Sequence, residues 1–217
     1  MKFPTSPSGQ GAGGFELPEA GAHRARLIRI TDIGQHESEY QGQKNIRSQV
    51  VFEFELSDEM GSNGKPLTVS KWYTKSMFSK ANLRRDLEAW RGKAFSDAEV
   101  ADFDPAALLG KVCLLTIQVN ERTDRSGTSR QRADITAIAP LPKQMQKEPV
   151  PEMVNTSYIY DMDHHDPAVF EMVSPGLKRK IESALDYAEK VLNKNRPGPL
   201  YTGSVPADLD LEDQIPF

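Results

Sequence analysis

Hydrophobic residues recur at every second position over much of residues 22–73, and this period is typical of β-strands with one buried face. The clearest set contains Val50, Phe52, Phe54 and Leu56. An earlier strand begins near Ala22, and its apolar phase shifts by one residue between Leu27 and Ile28. A phase shift inside one strand predicts a bulge or a sharp bend.

A third strand follows the turn-forming residues 60–64. Leu67, Val69 and Tyr73 share one face of this strand, and Trp72 lies on the other. We therefore expect Tyr73 in the core, together with the phenylalanines of the second strand, and Trp72 pointing outward. The alternative, in which a C-terminal helix covers Trp72, stays open at this point.

After the third strand the hydrophobic period changes from two to about 3.6. Leu83, Leu87 and Trp90 lie on one helical face, with Ser79 as the expected N-cap and Gly92 as the expected C-cap. Residues 96–99 read Ser-Asp-Ala-Glu, a capping box that predicts a second, short helix before Pro105. Trp90 is accordingly a predicted core residue.

Strand patterns resume at residues 112–119 and 133–139, and the polar residues 120–132 separate them. The order is thus three strands, a helical connection and two strands. A five-stranded Greek-key barrel with a helix between strands 3 and 4 is the OB-fold. The sequence therefore predicts a mainly β protein of this class with a C-terminal amphipathic helix added.

Composition divides the chain into five parts. Residues 1–14 contain four glycines and two prolines and are predicted to form a flexible arm. Residues 15–147 hold the barrel, and residues 148–173 are predicted to be a linker with an irregular acidic segment. Residues 174–196 form an amphipathic helix that packs on the barrel or on a second copy, so a homodimer stays open. Residues 197–217 are a predicted disordered acidic tail.

Length and cysteine content restrict the class of protein. The 217 residues suit one domain with appendages, and no apolar run approaches the roughly 20 residues of a membrane-spanning helix. Cys113 is the single cysteine, so neither an intrachain disulfide nor a cysteine metal cluster can form. We expect a protein of the cytoplasm.

The net charge of −4 hides an uneven distribution. Residues 21–147 carry 20 basic and 16 acidic side chains, whereas residues 148–217 carry 6 basic and 13 acidic ones. A basic body with an acidic tail is typical of nucleic-acid-binding proteins that also bind protein partners.

The last ten residues, 208–217, contain four acidic side chains and no basic one, and they end in Ile-Pro-Phe. This tail resembles the acidic tip of bacterial and bacteriophage single-stranded DNA-binding proteins, although Gln214 stands where that family usually has an acid. The resemblance implies that the tip recruits replication, recombination and repair enzymes. The implied partner-binding residues are Asp208, Asp210, Glu212, Asp213, Ile215, Pro216 and Phe217.

The body resembles a group of bacteriophage single-stranded DNA-binding proteins more loosely, through residues 21–34, 71–74 and 83–92. Such proteins bind unpaired nucleotides by stacking bases on aromatic rings and pairing phosphates with cations. Trp72 is the first stacking candidate, with Lys71 and Lys75 expected nearby. The remaining candidates come from the first strand and from the predicted loops 34–47 and 120–132: Arg24, Arg26, Tyr40, Lys44, Arg47, Arg122, Arg125, Arg130 and Arg132.

Two features fit this hypothesis poorly. Glu53 and Glu55 would repel phosphate if they faced the groove. Residues 161–166 read Asp-Met-Asp-His-His-Asp, a composition able to bind a divalent metal, although a solvated acidic loop is the simpler interpretation.

The sequence contains no recognisable catalytic motif, so we expect neither enzymatic activity nor a cofactor or resident metal. Two alternatives remain open. One is a metal-dependent nuclease that uses Asp161, Asp163, His164 and His165, and the other is a protein-interaction adaptor that does not bind nucleic acid.

Overall fold

The computed structural model describes residues 16–40, 43–123 and 127–193, and within these ranges the protein is mainly β. Its strands are β1 (Gly21–Tyr40), β2 (Gln43–Met60), β3 (Pro66–Thr74), β4 (Val112–Thr123), β5 (Ser129–Ala139) and β6 (Tyr158–Tyr160). Its α-helices are α1 (Asn82–Arg91), α2 (Asp97–Ala101), α3 (Pro167–Met172) and α4 (Pro175–Glu182). No helix in the described ranges is both long and apolar enough to span a membrane.

Five strands form an antiparallel sheet in the order β3-β2-β1-β4-β5. The long strand β1 lies at the centre, and its register against β2 shifts between Leu27 and Arg29 and again between Asp32 and Gly34. The first shift confirms the bend predicted from the phase of the apolar residues. Before the bend β1 pairs with β4, and after it β1 pairs in parallel with β6.

The two end strands of this order, β3 and β5, lie in contact, and α1 lies against both. The main core is enclosed by these elements and includes Phe52, Phe54, Tyr73 and Trp90, as predicted. The Trp90 indole N–H donates a 2.9 Å hydrogen bond to the Val112 carbonyl, which joins α1 to the start of β4. The sheet and α1 thus share one hydrophobic core.

The ends of α1 and α2 agree with the sequence prediction except at the start of α1. Gly92 caps α1 in the left-handed conformation with φ of 71°, and Ser96 with Glu99 forms the expected capping box of α2. Helix α1, however, begins at Asn82 after Ala81, which provides no side-chain cap. Ser79 is therefore not the N-cap, because it belongs to the loop that precedes the helix.

A second core covers the outer face of β1 and β2. Ile33 and Val51 on that face pack against Tyr160, Met162 and Ile181 from the chain that follows β5. The prediction that residues 148–173 are a linker with an irregular acidic segment is therefore wrong over residues 158–172, which contain β6, a 3₁₀ turn and α3. We call residues 149–193 the cover segment.

One buried carboxylate anchors the cover segment. Glu55 is 1% exposed. It accepts hydrogen bonds from the Asn155 backbone N–H at 2.7 Å, the Asn155 side-chain amide at 2.9 Å and the Val154 N–H at 3.2 Å. Because a buried carboxylate requires donors, Glu55 fixes where the cover segment meets the sheet.

The predicted single helix over residues 174–196 is interrupted. Helix α4 ends at Glu182, and a π-helical turn follows at Ala188–Leu192. Between them the Leu185 N–H donates to the Gln35 carbonyl, and Asp186 accepts from the Gln35 N–H at 2.7 Å. These bonds to β1 replace helical ones. Residues 194–196 lie outside the described ranges, as do the predicted N-terminal arm at 1–14 and the tail at 197–217.

Gly34 makes the contact between residues 184–186 and β1 possible. Its φ is +78°, and a Cβ at this position would lie 2.6 Å from Asp186 Oδ1 and 2.7 Å from the Ala184 Cβ. A residue with a side chain would therefore both strain the backbone and push the 184–186 turn away from β1.

The two predicted loops are largely strand. The β1–β2 ladder continues to Tyr40 opposite Gln43, and the β4–β5 ladder continues to Thr123 opposite Ser129. Both extensions form two-stranded arms with mainly polar side chains. Because solvent reaches both faces of much of each arm, the hydrophobic alternation that predicts a strand is missing there.

Candidate nucleic-acid interface

Two exposed aromatic residues, Trp72 and Phe78, line one groove at the end of β3. Trp72 is 41% exposed and Phe78 is 83% exposed. The groove has a volume of about 450 Å³, and its lining includes Arg47, Gln49 and Lys80. Aromatic faces and cations therefore border the same open space.

The alternation of β3 places Trp72 at this groove. Trp72 lies opposite Val51 on β2, whereas its neighbour Tyr73 lies opposite Val50 and is buried in the main core. The prediction that Trp72 points outward is confirmed. The cover segment buries Val51 but leaves Trp72 accessible.

Phe78 projects from the loop between β3 and α1, and this loop is anchored on both sides of it. The Lys75 N–H donates to the Ser48 carbonyl at 2.8 Å, and Met77 packs against the main core. The Ala81 N–H donates to the Phe78 carbonyl at 2.8 Å. Leaving a phenylalanine exposed forgoes roughly 1.5 to 3 kcal/mol of burial, so an anchored, exposed aromatic residue is typical of a binding surface.

Arg47 and Lys80 supply the positive charge of the groove. Both are exposed, and neither forms an ion pair with any residue in the described ranges. A cation without a carboxylate partner is available to a phosphate group.

Lys71 does not belong to this groove. It lies opposite Phe52 on the inner face of the sheet, and its ammonium is 2.7 Å from Asp86 on α1. Asp86 also accepts a hydrogen bond from the Tyr73 hydroxyl at 3.1 Å. Burial, together with the Asp86 charge, raises the pKa of Tyr73 far above its usual range. The expectation that Lys71 lies beside Trp72 is wrong, because consecutive strand residues point to opposite faces.

Lys75 is engaged with the acidic cluster identified in the sequence. Its ammonium lies 2.5 Å from Asp32, 3.9 Å from Asp161 and 3.8 Å from Asp163. Lys190 binds Asp163 from the other side at 2.9 Å. The three carboxylates are close enough to share a cation, and Lys75 already supplies one.

Lysines and hydrogen bonds partly offset the negative charge of this cluster. Burial alone would raise the pKa of Asp161, but hydrogen bonds from the His164 ring and the Asp163 N–H, with the nearby Lys75, hold that pKa below its usual value. The cluster joins the end of β3 to the cover segment, and Lys75 is committed to it rather than to the groove.

Arg24 and Arg26 bind the chain that follows β5. Arg24 pairs with Asp58 at 2.7 Å and with Glu148 at 3.6 Å, and the Arg26 guanidinium donates to the Pro151 carbonyl at 2.7 Å. Both arginines are partly buried. The structure therefore places them at the start of the cover segment, away from the residues that line the groove.

The β4–β5 arm presents three of the four arginines predicted for it. Arg122 lies directly opposite Arg130, and Arg132 is the next residue but one along β5. Asp134 pairs with Arg122 at 2.9 Å and with Arg132 at 3.4 Å. All three arginines are exposed, so the arm carries net positive charge on one face, whereas Arg125 lies outside the described residues.

The β1–β2 arm carries the remaining candidates. Lys44 is exposed and lies 3.8 Å from Glu37, while Arg47 reaches the groove. Tyr40 closes the ladder opposite Gln43, but its side chain lies outside what the structure describes.

The two glutamates of β2 that fitted the hypothesis poorly are both satisfied within the protein. Glu53 pairs with Arg29 at 2.6 Å, and the Arg29 guanidinium lies over the Tyr158 ring. Glu55 is held by the cover segment. Neither carboxylate therefore presents an open negative charge to the groove.

Phe78 and Lys80 were not identified as candidate binding residues from the sequence. The available signal was a phenylalanine within the mostly polar residues 74–82, outside both the strand and the helix periods. The predicted partner-binding residues of the tip, Asp208, Asp210, Glu212, Asp213, Ile215, Pro216 and Phe217, lie outside the described ranges.

No known family model matches this sequence, and no curated protein matches it. The assignment of function therefore depends on the residues of the groove and on the resemblance seen in the sequence.

Proposed function

We propose that this protein binds single-stranded DNA through the groove formed by Trp72 and Phe78. The observation that carries the proposal is that two exposed aromatic residues surround one open groove together with Arg47 and Lys80, two cations that form no ion pair within the part of the chain that the structure describes. Stacking on aromatic rings suits unpaired bases, since their faces are accessible only outside a duplex.

The strand order supports an OB-fold as the scaffold. In this proposal β1 to β5 form the Greek-key barrel, the contact between β3 and β5 closes it, and α1 fills the end between β3 and β4. OB-folds bind oligonucleotides on the face of strands 2 and 3 and with the loops beside it, and the groove lies at that position.

The cover segment restricts where a strand can pass. Because it occupies the outer face of β1 and β2, we propose that DNA crosses the end of β3, between the β1–β2 arm and the loop that carries Phe78. The exposed arginines of the β4–β5 arm then provide a second set of phosphate contacts.

The acidic tip completes the proposed function. Its four acids and terminal Ile-Pro-Phe suit a basic pocket with an apolar floor on a partner enzyme. The protein would thus coat unpaired DNA during phage replication, recombination or repair, while the tip recruits the enzymes.

The proposal is tested by fluorescence anisotropy of labelled oligo-dT and of a labelled duplex of equal length, at low ionic strength. We expect saturable binding of oligo-dT and much weaker binding of the duplex. Equal affinity for the two would contradict base stacking as the mechanism, and no binding of either would favour the adaptor function.

The role of the tip is tested with a chain shortened by residues 215–217. Binding of oligo-dT should persist or become slightly tighter, because the tail can compete with DNA for the groove and the shortened tail has lost its aromatic end. Capture of replication or repair enzymes from the host should be lost, and undiminished capture would refute the assignment of the tip.

A further inference from the structure

One border of the groove is Arg47, and the β1–β2 ladder continues beyond it. Arg47 lies directly opposite His36 in this ladder, so the two side chains share one face of the sheet. Gly34 lies two residues before His36 and is therefore on the same face. A DNA strand that leaves the groove across Arg47 next meets this part of β1.

Helix α4 brings a lysine to this face of β1. Ala184, just after the helix, lies against Gly34, because a Cβ at Gly34 would be 2.7 Å from the Ala184 Cβ. Lys180 lies about one helical turn before Ala184, on the same side of the chain. Burial is the main cause of the lowered pKa of His36, and the charge of Lys180 lowers that pKa further. The Lys180 side chain therefore lies beside the pair formed by His36 and Arg47.

The two carboxylates close to Lys180 in the chain are not paired with it. Asp186 is 7% exposed and lies 3.2 Å from the Lys190 ammonium. Glu182 is two positions after Lys180 on α4, and residues at this spacing do not face each other. Lys180 itself is partly exposed. Its positive charge thus adds to that of Arg47 at the same border of the groove.

We infer that Lys180 binds a phosphate of the DNA strand that leaves the groove past Arg47. The inference rests on the proposed function and deepens it, because it makes the cover segment part of the DNA interface. Helix α4 covers the sheet beyond His36, since its Ile181 packs against Ile33. A strand that crosses there passes over the side of α4 that carries Lys180, and each cation along such a path can neutralise one phosphate.

Lysine acetylation read by mass spectrometry tests the contact in the unaltered full-length protein. A saturating concentration of oligo-dT should protect Lys180 and Lys80 from the reagent severalfold. Lys65 should react as in the free protein, since it precedes β3 at the end far from the groove. Protection of Lys80 without protection of Lys180 overturns the inference and leaves the proposed function intact.

The salt dependence of binding provides a second measure. Lys180→Ala should reduce the slope of log K against log salt by about 0.7, the value of one phosphate contact on a single strand. Lys180→Arg keeps the charge and should keep the slope. Lys178→Ala is the matched control, because this lysine is on the same helix but its ammonium lies 2.7 Å from Glu171. Circular dichroism and a thermal melt check that the variants are folded.

The outcomes separate the inference from the proposed function. An unchanged slope in Lys180→Ala, or an equal decrease in Lys178→Ala, overturns the inference while binding in the groove stands. An unchanged slope in Lys180→Ala with a decrease in Arg179→Ala also overturns it, since the contact would then belong to the neighbouring residue. Absence of oligo-dT binding by the unaltered protein contradicts the proposed function itself.

Discussion

Trp72 and Val51 lie directly opposite each other across the β2–β3 ladder, yet Val51 is 1% exposed and Trp72 is 41% exposed. The edge of the cover segment therefore falls between two side chains of one cross-strand pair. This boundary determines the candidate site, because it closes the outer face of β2 and leaves the outer face of β3 open beside the arm that carries Arg47.

Replacing Trp72 should weaken binding of single-stranded DNA. Each base stacked on an aromatic ring contributes roughly 1 to 3 kcal/mol, so Trp72→Ala should raise the Kd for oligo-dT by about 5- to 150-fold. Trp72→Phe keeps a stacking face and should lose much less. Anisotropy titrations measure both, and an unchanged Kd for Trp72→Ala would contradict the proposed site.

Phe78→Ala should weaken the binding of single-stranded DNA without lowering the stability of the fold. Because Phe78 is 83% exposed, its removal should change the free energy of unfolding by no more than about 0.5 kcal/mol. Affinity for oligo-dT should nevertheless fall severalfold. A large loss of stability with unchanged affinity would indicate that Phe78 has a structural role only, and urea unfolding beside an anisotropy titration distinguishes the two outcomes.

The salt dependence of binding should report the contributions of Arg47 and Lys80. For single strands the slope of log K against log salt changes by about 0.7 for each phosphate contact. Arg47→Ala and Lys80→Ala should each reduce the slope by about that amount. Lys65→Ala is the matched control, since this exposed lysine lies in the turn before β3, at the far end of the strand from the groove. An equal change in the control would show that the effect reflects overall charge.

Attachment of the cover segment should depend on Asn155. Its side-chain amide donates to Glu55 at 2.9 Å and to the Pro66 carbonyl at 3.1 Å. Asn155→Ala leaves the buried carboxylate short of a donor, which should cost about 1 to 3 kcal/mol of unfolding free energy. Asn45→Ala on the exposed β1–β2 arm should cost less than about 0.5 kcal/mol. Equal losses in urea unfolding would argue against the anchor.

His36 should make stability fall in mild acid. Its ring N–H donates to the Ile33 carbonyl at 2.8 Å, and burial, reinforced by nearby Lys180, lowers its pKa despite opposing effects from that hydrogen bond and from Asp186. In the unfolded chain the pKa is about 6.5. The unfolded state therefore binds the proton first, and stability decreases as the pH falls below that value.

The variant His36→Gln keeps a side-chain donor but cannot take up this proton. Urea unfolding at pH 7.5 and at pH 5.5 should show a smaller decrease in the variant than in the unaltered protein. An equal decrease in both would exclude His36 as a source of the pH dependence.

Much of the fold could be predicted because its signals are local. Period-2 alternation predicted β2 and β3, the phase shift predicted the bend of β1, and Gly92 and Ser96 predicted helix ends. The cover segment could not be predicted in this way. Strand β6 has only three residues, and what holds it is the parallel pairing with β1 and the second core rather than a pattern of its own.

The site was predictable only in part for the same reason. The alternation of apolar and polar residues along β3 correctly predicted that Trp72 points outward. Lys71 and Lys75 were placed beside it only because they are basic and close in sequence. The structure assigns those lysines to Asp86 and Asp32, which lie in other elements. Ion pairing between distant parts of the chain cannot be read from the local sequence, and neither can the exposure of Phe78.

The most direct test of the central claim follows tryptophan emission while oligo-dT is added. The protein contains two tryptophans, the exposed Trp72 and the buried Trp90. If bases stack on Trp72, emission should fall to a plateau in the unaltered protein, and the decrease should be nearly absent in Trp72→Phe, in which only Trp90 reports. An equal decrease in Trp72→Phe, or no decrease in the unaltered protein at oligo-dT concentrations that saturate binding, would contradict the account.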